Sequence, residues 1–190
     1  MTDRAPILAA VALAAATLGA STGGAAAQAP AGAQPTQIGD FKDWTAYAAP
    51  VKGGKVCYAL AQPQKARRRS AQAPEGAYFF ISNRPQDGVQ NEISVMPGFA
   101  LKTNSEVELT VDGATFKLFT RGDGAFMGNN EDQAALVEAM RAGRRDMKVE
   151  AISTRGRSAT QSYSLAGVSD ALDKINAECR ATAAPAQRQR

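Results

Sequence analysis

The chain of 190 residues contains no histidine and only two cysteines, Cys57 and Cys179. The absence of histidine removes the commonest general base and the usual nitrogen ligand of zinc. CxxC, GxSxG and SxxK patterns are also absent, so neither a paired-cysteine metal motif nor a serine hydrolase is indicated. We therefore expect no cofactor, no metal ion and no catalytic residues. The one enzymatic alternative is a hydrolase that uses a pair of carboxylates brought together by folding.

Long hydrophobic runs are scarce as well. The longest, Ile7 to Leu18, is half alanine and falls short of the roughly 20 residues that a membrane-spanning helix needs. Three alanines follow at positions 25–27, which are the small residues that a signal peptidase recognises. We expect residues 1–27 to be a signal peptide, cleaved after Ala27, rather than a membrane anchor. The mature chain would then have no transmembrane segment and would reside in the periplasm, on the outer surface or in the medium.

Composition divides the remaining chain into three parts. Residues 28–37 are rich in Pro, Ala and Gln, and residues 181–190 are rich in Ala, Gln and Arg. Neither segment carries enough apolar surface to order itself, so we expect a flexible linker and a disordered tail. Residues 38–180 are enough for a single domain with one hydrophobic core.

The two cysteines are predicted to form a disulfide. An exported chain enters an oxidising compartment, where an even number of cysteines indicates disulfide bonding. Pairing Cys57 with Cys179 would close a long loop and would stabilise the fold by about 5 kcal/mol in the chain-entropy model. A reactive thiol or a metal site is the alternative, and the missing histidine argues against both.

The clearest local element is a hairpin over residues 106–120. Asp112-Gly113 supplies the two positive-φ positions of a type I′ turn between two β-rich runs. A two-residue turn at this point pairs Leu109 with Phe116 and Val107 with Leu118 on one face. The other face then carries the pairs Glu108–Lys117 and Thr110–Thr115, which suit an exposed sheet surface.

Further β-rich stretches and two helices complete the predicted fold. The strands cover residues 44–48, 55–61, 77–82, 92–96, 147–154 and 160–165, and they favour an antiparallel sandwich. Asn130 is expected to cap a first helix that buries Leu136, Val137 and Met140 and ends at Gly143. Ser169 is expected to cap a second helix, on which Leu172, Ile175 and Cys179 share the inward face.

Motifs along most of the chain resemble those of the invasion-associated locus B family. The resemblance covers roughly residues 41–179 and depends on the order and spacing of several motifs. In the last third the matching residues are Arg155-Gly156, Tyr163-Ser164-Leu165, Gly167, Ala171-Leu172 and Cys179. Earlier matches are Trp44, Cys57, the aromatic strand 78–81 before Arg84-Pro85, and the segment 116–123 ending in a Gly-Asp turn.

The resemblance implies an immunoglobulin-like β-sandwich with a C-terminal helix, exported from alphaproteobacterial cells to the periplasm or outer surface. The family takes its name from members linked to host-cell entry by pathogens, and it implies no enzymatic activity. The function expected for this chain is therefore non-catalytic binding of a protein or an anionic envelope component. A purely structural envelope protein is a further alternative.

One basic segment and one turn are candidates for an anion-binding surface. Lys65, Arg67, Arg68 and Arg69 lie between two prolines and are predicted to form an exposed loop. Arg155, before Gly156, lies in a turn between two predicted strands. Arginine forks bind phosphate and carboxylate groups in a bidentate way, although a solvated loop is the simpler interpretation. Nucleic acid is not expected, because the net charge of +4 is modest and aromatic residues do not alternate with the basic ones.

Overall fold

The computed structural model describes residues 34–64 and 75–180. Within them the chain forms ten strands, two α-helices and one 3-10 turn at Pro85–Asp87. The strands are β1 Thr36–Phe41, β2 Trp44–Val51, β3 Gly54–Ala61, β4 Ala77–Arg84, β5 Val89–Pro97, β6 Glu106–Val111, β7 Ala114–Arg121, β8 Gly124–Met127, β9 Asp146–Ile152 and β10 Ser158–Ser164. The helices are α1 Asn130–Ala142 and α2 Val168–Arg180. The predicted signal peptide and tail lie outside the described residues.

The ten strands form one antiparallel sheet in the order β1-β2-β3-β4-β5-β8-β7-β6-β9-β10. Strands β1 to β5 follow one another as a meander. Residues 98–105 then carry the chain past β8 and β7 to β6, and on this path Leu101 forms a bridge with Ser153. The mainly antiparallel β fold with a C-terminal helix is thus confirmed.

The sheet curls so that strands distant in its order share one core. The ring of Phe79 on β4 lies 5.6 Å from that of Tyr163 on β10, centroid to centroid. Trp44 on β2 donates its indole N–H to the carbonyl oxygen of Ser164 at 2.9 Å. Because hydrogen bonding runs through one continuous sheet, the two separate sheets of an immunoglobulin-like sandwich stay a prediction.

The predicted hairpin is confirmed in its register. Val107 pairs with Leu118 and Leu109 with Phe116, while Glu108 faces Lys117 on the other side. Asp112 and Gly113 have φ values of 45° and 92°, as a type I′ turn requires. Sequence periodicity was sufficient here because both strands and their turn are contiguous in the chain.

Two strands were not predicted. Strand β1 begins at Thr36, inside the segment predicted to be a flexible linker, and its residues are ordered by pairing with β2. Strand β8 has only four residues in a glycine-rich stretch, and it lies between β5 and β7. Neither segment has a strong strand pattern of its own, so only its partners determine its conformation.

Both predicted helix caps are corrected by one residue or more. The side chain of Asn129, not Asn130, caps α1 by accepting a hydrogen bond from the backbone N–H of Asp132 at 2.8 Å. Helix α2 begins at Val168, so Ser169 lies inside it and caps nothing. The carbonyl oxygen of Gly167 accepts the first helical bond from Ala171.

Gly167 is needed at the start of α2 for two reasons. Its φ of +91° is a conformation that residues with a side chain rarely adopt. A Cβ atom at this position would also collide with the carbonyl oxygen of Phe41 on β1. This close approach places α2 against the first three strands, where Leu172, Ile175 and Cys179 are buried as predicted.

Candidate functional site

The predicted disulfide between Cys57 and Cys179 is present, with Cα atoms 5.9 Å apart. It joins the core face of β3 to the last turn of α2. Beside the bridge, Lys55 on β3 donates a hydrogen bond to Glu178, the residue before Cys179, at 2.7 Å. This bond and the positive charge of Lys55 lower the pKa of Glu178. The end of α2 is therefore held both covalently and by an ion pair.

Arg155 lies in the exposed turn between β9 and β10, as predicted. Gly156 has a φ of +74°, and its N–H donates to the carbonyl oxygen of Ser153 at 2.8 Å. The hydroxyl of Ser153 bonds both the N–H and the carbonyl oxygen of Arg157. Ser153 and Gly156 thus explain the turn, while neither Arg155 nor Arg157 forms an ion pair with another residue in the described part of the chain.

Lys65, Arg67, Arg68 and Arg69 lie outside the described residues, so their relation to Arg155 stays a prediction. One described feature bears on it. After the undescribed segment the chain resumes into β4, where Ala77 pairs with Pro97. Three residues further along, the carbonyl oxygen of Ala100 accepts a hydrogen bond from Thr154, next to Arg155. The short segment 97–100 therefore connects the start of β4 with the turn that carries Arg155.

An aromatic surface on the outer side of the sheet was not predicted. We define this aromatic face by six side chains that point away from the core on β2, β3, β4, β7 and β8: Tyr47, Tyr58, Tyr78, Phe80, Phe119 and Phe126. Five are half-buried, and Phe119 is 45% exposed. The alternation of buried and outward residues in each predicted strand could have revealed the individual side chains, but not their alignment across strands.

The aromatic face consists of two clusters joined by a serine. Tyr47 and Tyr58 are stacked with centroids 5.3 Å apart, and Phe80 lies 6.2 Å from Tyr58. On the other side, Phe119 and Phe126 are 6.0 Å apart. Ser94 pairs with Phe80 on one side and with Phe126 on the other, which makes the row continuous. Burial among these rings, with a further contribution from Tyr47, raises the pKa of Tyr58.

A groove of about 940 Å³ lies at one end of the aromatic face. Its walls are the start of β5, the β4–β5 turn, the outer side of β7 and β8, and α1 from Asn130 to Glu138. Phe119 and Phe126 supply its aromatic wall. Gln133, near the start of α1, supplies a side-chain amide to the lining of the groove.

The charged groups of the groove are largely paired with one another. Arg84 binds Glu92 with two hydrogen bonds of 2.6 and 3.0 Å and also contacts Asp87 at 3.3 Å. These partners raise the pKa of Arg84, and the hydrogen bond that it donates to Glu92 has the largest effect. Two carboxylates therefore lie close together in a groove, as a carboxylate hydrolase would need. Both, however, are bound to one guanidinium instead of facing an open substrate site.

Metal-binding clusters and membrane-spanning helices are both absent from the described part of the chain. No group of three or more Asp, Glu, Cys or His side chains suited to a metal ion occurs among residues 34–64 and 75–180. In the same residues, no helix has the length and apolar character needed to cross a bilayer.

These features define a class of protein: a mainly antiparallel β domain with a C-terminal helix that one disulfide clamps to the sheet. A family model described as Invasion associated locus B (IalB) protein matches residues 44–176. The chain belongs to this family, which confirms the resemblance predicted from its motifs. The family is not known as an enzyme family. Comparison with curated proteins and with solved structures finds no match.

Proposed function

We propose that this IalB family member is an exported, non-catalytic domain that binds a protein or an anionic component of the cell envelope. It would act in the periplasm or on the outer surface, after removal of residues 1–27. Family membership supports a non-catalytic role linked to invasion in other members. Export is supported by the sequence pattern of the first 27 residues, and a disulfide is typical of an exported protein.

The aromatic face is the observation that carries this proposal. Tyr and Phe are enriched at protein interfaces, because they bury large area with few rotatable bonds. Their rings extend over neighbouring strands of a rigid sheet, so little ordering is needed on binding. A catalytic surface would instead need a nucleophile or a general acid positioned beside a substrate site.

Arg155 and Arg157 support the anionic part of the proposal. Both guanidinium groups are exposed and lack an ionic partner within the described residues. Together with Lys65, Arg67, Arg68 and Arg69 they would form a surface that binds phosphate or carboxylate groups. Lipopolysaccharide phosphates and anionic lipids carry such groups in the envelope.

Cell fractionation followed by crosslinking tests location and partner together. The protein is expected in the envelope or medium, lacking residues 1–27 and crosslinked to a specific envelope component. A Tyr47→Ser/Tyr58→Ser variant should lose a protein partner, while an Arg155→Gln/Arg157→Gln variant should lose binding to anionic vesicles at low salt. Lys52→Gln/Arg144→Gln is the matched control, because it removes the same charge from other exposed sites.

Three results would contradict the proposal. The first is a full-length chain with an intact amino terminus in the cytosol. The second is no binding at low salt to lipopolysaccharide, anionic vesicles or any envelope protein. The third is glycan hydrolysis by the purified protein that disappears in Glu92→Gln, which would favour the carboxylate hydrolase. A deletion strain that becomes detergent-sensitive, with no ligand for the purified protein, would favour a structural role.

A further inference from the structure

Within residues 34–64 and 75–180, part of the edge of β5 has no strand beside it. Strand β8 pairs with β5 only at Ser94 and Val95. Closer to the start of β5, the side-chain amide of Gln133 takes the place of a neighbouring strand. It accepts a hydrogen bond from the N–H of Ile93 at 3.2 Å and donates one to the carbonyl oxygen of Gln90 at 3.4 Å. One side-chain amide thus occupies a donor and an acceptor that a peptide backbone could use.

The same groove also contains a polar atom that lacks a hydrogen-bond partner, the side-chain oxygen of Asn91. The side-chain oxygen of Asn91 is buried and forms no hydrogen bond in the described structure. Asn91 has a φ of 52°, and its own N–H donates to the side-chain oxygen of Asn83 at 2.6 Å. Buried acceptors are nearly always satisfied in folded proteins. Asn91 lines the groove, so a ligand N–H group would satisfy this oxygen once the side chain turns towards the groove.

The charges of the groove define the ligand further. Its walls carry three carboxylates, Asp87, Glu92 and Glu138, against two guanidinium groups, Arg84 and Arg121. Arg84 contacts two of the carboxylates, whereas Glu138 and Arg121 form no ion pair with any residue of the described ranges, so the groove keeps a net charge of −1. The exposed ring of Phe119 adds a surface on which a cationic side chain can lie. The excess of negative charge favours a basic ligand.

We propose that this groove binds an extended, basic peptide segment of a partner protein, which adds a strand to the open edge of β5. This inference rests on the proposed binding function and names the chemistry of one partner. The peptide displaces the amide of Gln133 and pairs with Ile93 N–H and Gln90 C=O. Backbone hydrogen bonds then provide affinity, and alternate side chains provide specificity through Glu138 and the aromatic wall.

Three labelled octapeptides with blocked ends test the inference by fluorescence anisotropy on the natively purified protein. One alternates Val and Lys, the second alternates Val and Glu, and the third is the Val-Lys peptide with N-methylated backbone amides. The Val-Lys peptide is expected to bind at one site, at least tenfold more tightly than the other two, and more weakly as salt rises. Equal binding of the Val-Glu or the N-methylated peptide would overturn the inference.

Protein variants locate the binding site. Glu138→Gln should weaken Val-Lys binding severalfold, while Glu150→Gln, on the distant strand β9, should not change it. Gln133→Ala removes the competing amide and should tighten binding severalfold; weaker or unchanged binding would contradict strand addition. If an envelope partner is bound but no peptide is, only the groove assignment fails. If neither is bound, the proposed function fails with it.

Discussion

The disulfide offers the sharpest test of how this fold is stabilised. Replacing Cys57 and Cys179 by Ala removes a covalent link between β3 and α2 without introducing a polar atom. Both positions are buried, at 0% and 2% exposure. The apolar face of α2 remains packed on the sheet through Leu172 and Ile175, so the variant should still fold. Its loss of stability therefore measures mainly the constraint that the bridge places on the unfolded chain.

The expected magnitude follows from the loop that the bridge closes. The two cysteines are separated by 122 residues, and in the chain-entropy model a loop of this order contributes about 5 kcal/mol. A typical domain has a free energy of unfolding of roughly 5 to 15 kcal/mol. With a urea m-value of about 2 kcal/mol/M, the unfolding midpoint should fall by about 2.5 M.

Trp44 provides the assay, because it is the chain's only tryptophan and is fully buried. Urea unfolding followed by its fluorescence gives the free energy of unfolding of both proteins. The wild-type protein with its disulfide reduced is the control, and it should match the double variant within about 1 kcal/mol, since most of the effect is entropic. A loss below about 2 kcal/mol in both samples would refute the chain-entropy explanation.

Three further predictions concern the helices. Asn129→Ala should lower the free energy of unfolding by about 1 kcal/mol because it removes the cap of α1, whereas Asn130→Ala should have little effect in the same urea assay. Gly167→Ala should lower the free energy of unfolding by more than about 2 kcal/mol, because strain at positive φ adds to a backbone collision. Thermal unfolding measures this loss, and a smaller value would contradict the prediction. Glu178→Gln should cost less than about 1 kcal/mol at pH 7, since both partners are partly exposed. Because the pKa of Glu178 is lowered in the folded state, the contribution of its pair with Lys55 is complete above the ordinary Glu pKa and disappears as pH falls through the lowered value. Urea curves at pH 7 and pH 3 that show the same difference between the two proteins would contradict this origin.

The elements that sequence patterns predicted well are those with local determinants. The hairpin of β6 and β7 was predicted to the residue, because Asp112-Gly113 sets the turn and the alternation of apolar residues sets the register. The buried residues of α1 and α2 were predicted from their helical spacing. The cap of α1 was misplaced because Asn129 and Asn130 offer equivalent oxygens, and only backbone geometry selects one of them. The cap of α2 was misplaced because the helix begins after Gly167, which has no side-chain oxygen to mark it.

The surfaces were predicted only in part. Arg155 was placed correctly in an exposed turn, because glycine readily adopts the positive φ that turns require, and Gly156 has a φ of +74°. The groove at Gln133 was missed, because its residues come from three separate stretches of the chain, 84–92, 119–121 and 126–138. The aromatic face was missed for the same reason, since Tyr58 and Phe80, whose rings are neighbours across β3 and β4, are 22 positions apart in the sequence.

Local spacing and composition alone determined the antiparallel strands, the two helices, the pairing of the only two cysteines and the family to which the chain belongs. The strands, helices and family motifs depend on residues that are close together in the sequence. The disulfide follows because two cysteines allow only one intramolecular pairing. Tertiary structure alone decided that β1 and β8 are strands, that β5 keeps an open edge, and that six aromatic rings form one surface. Such features arise from pairing between strands that are far apart in the sequence. The contacts that stabilise each pairing form only when both strands are in place, so neither strand's own sequence reveals them.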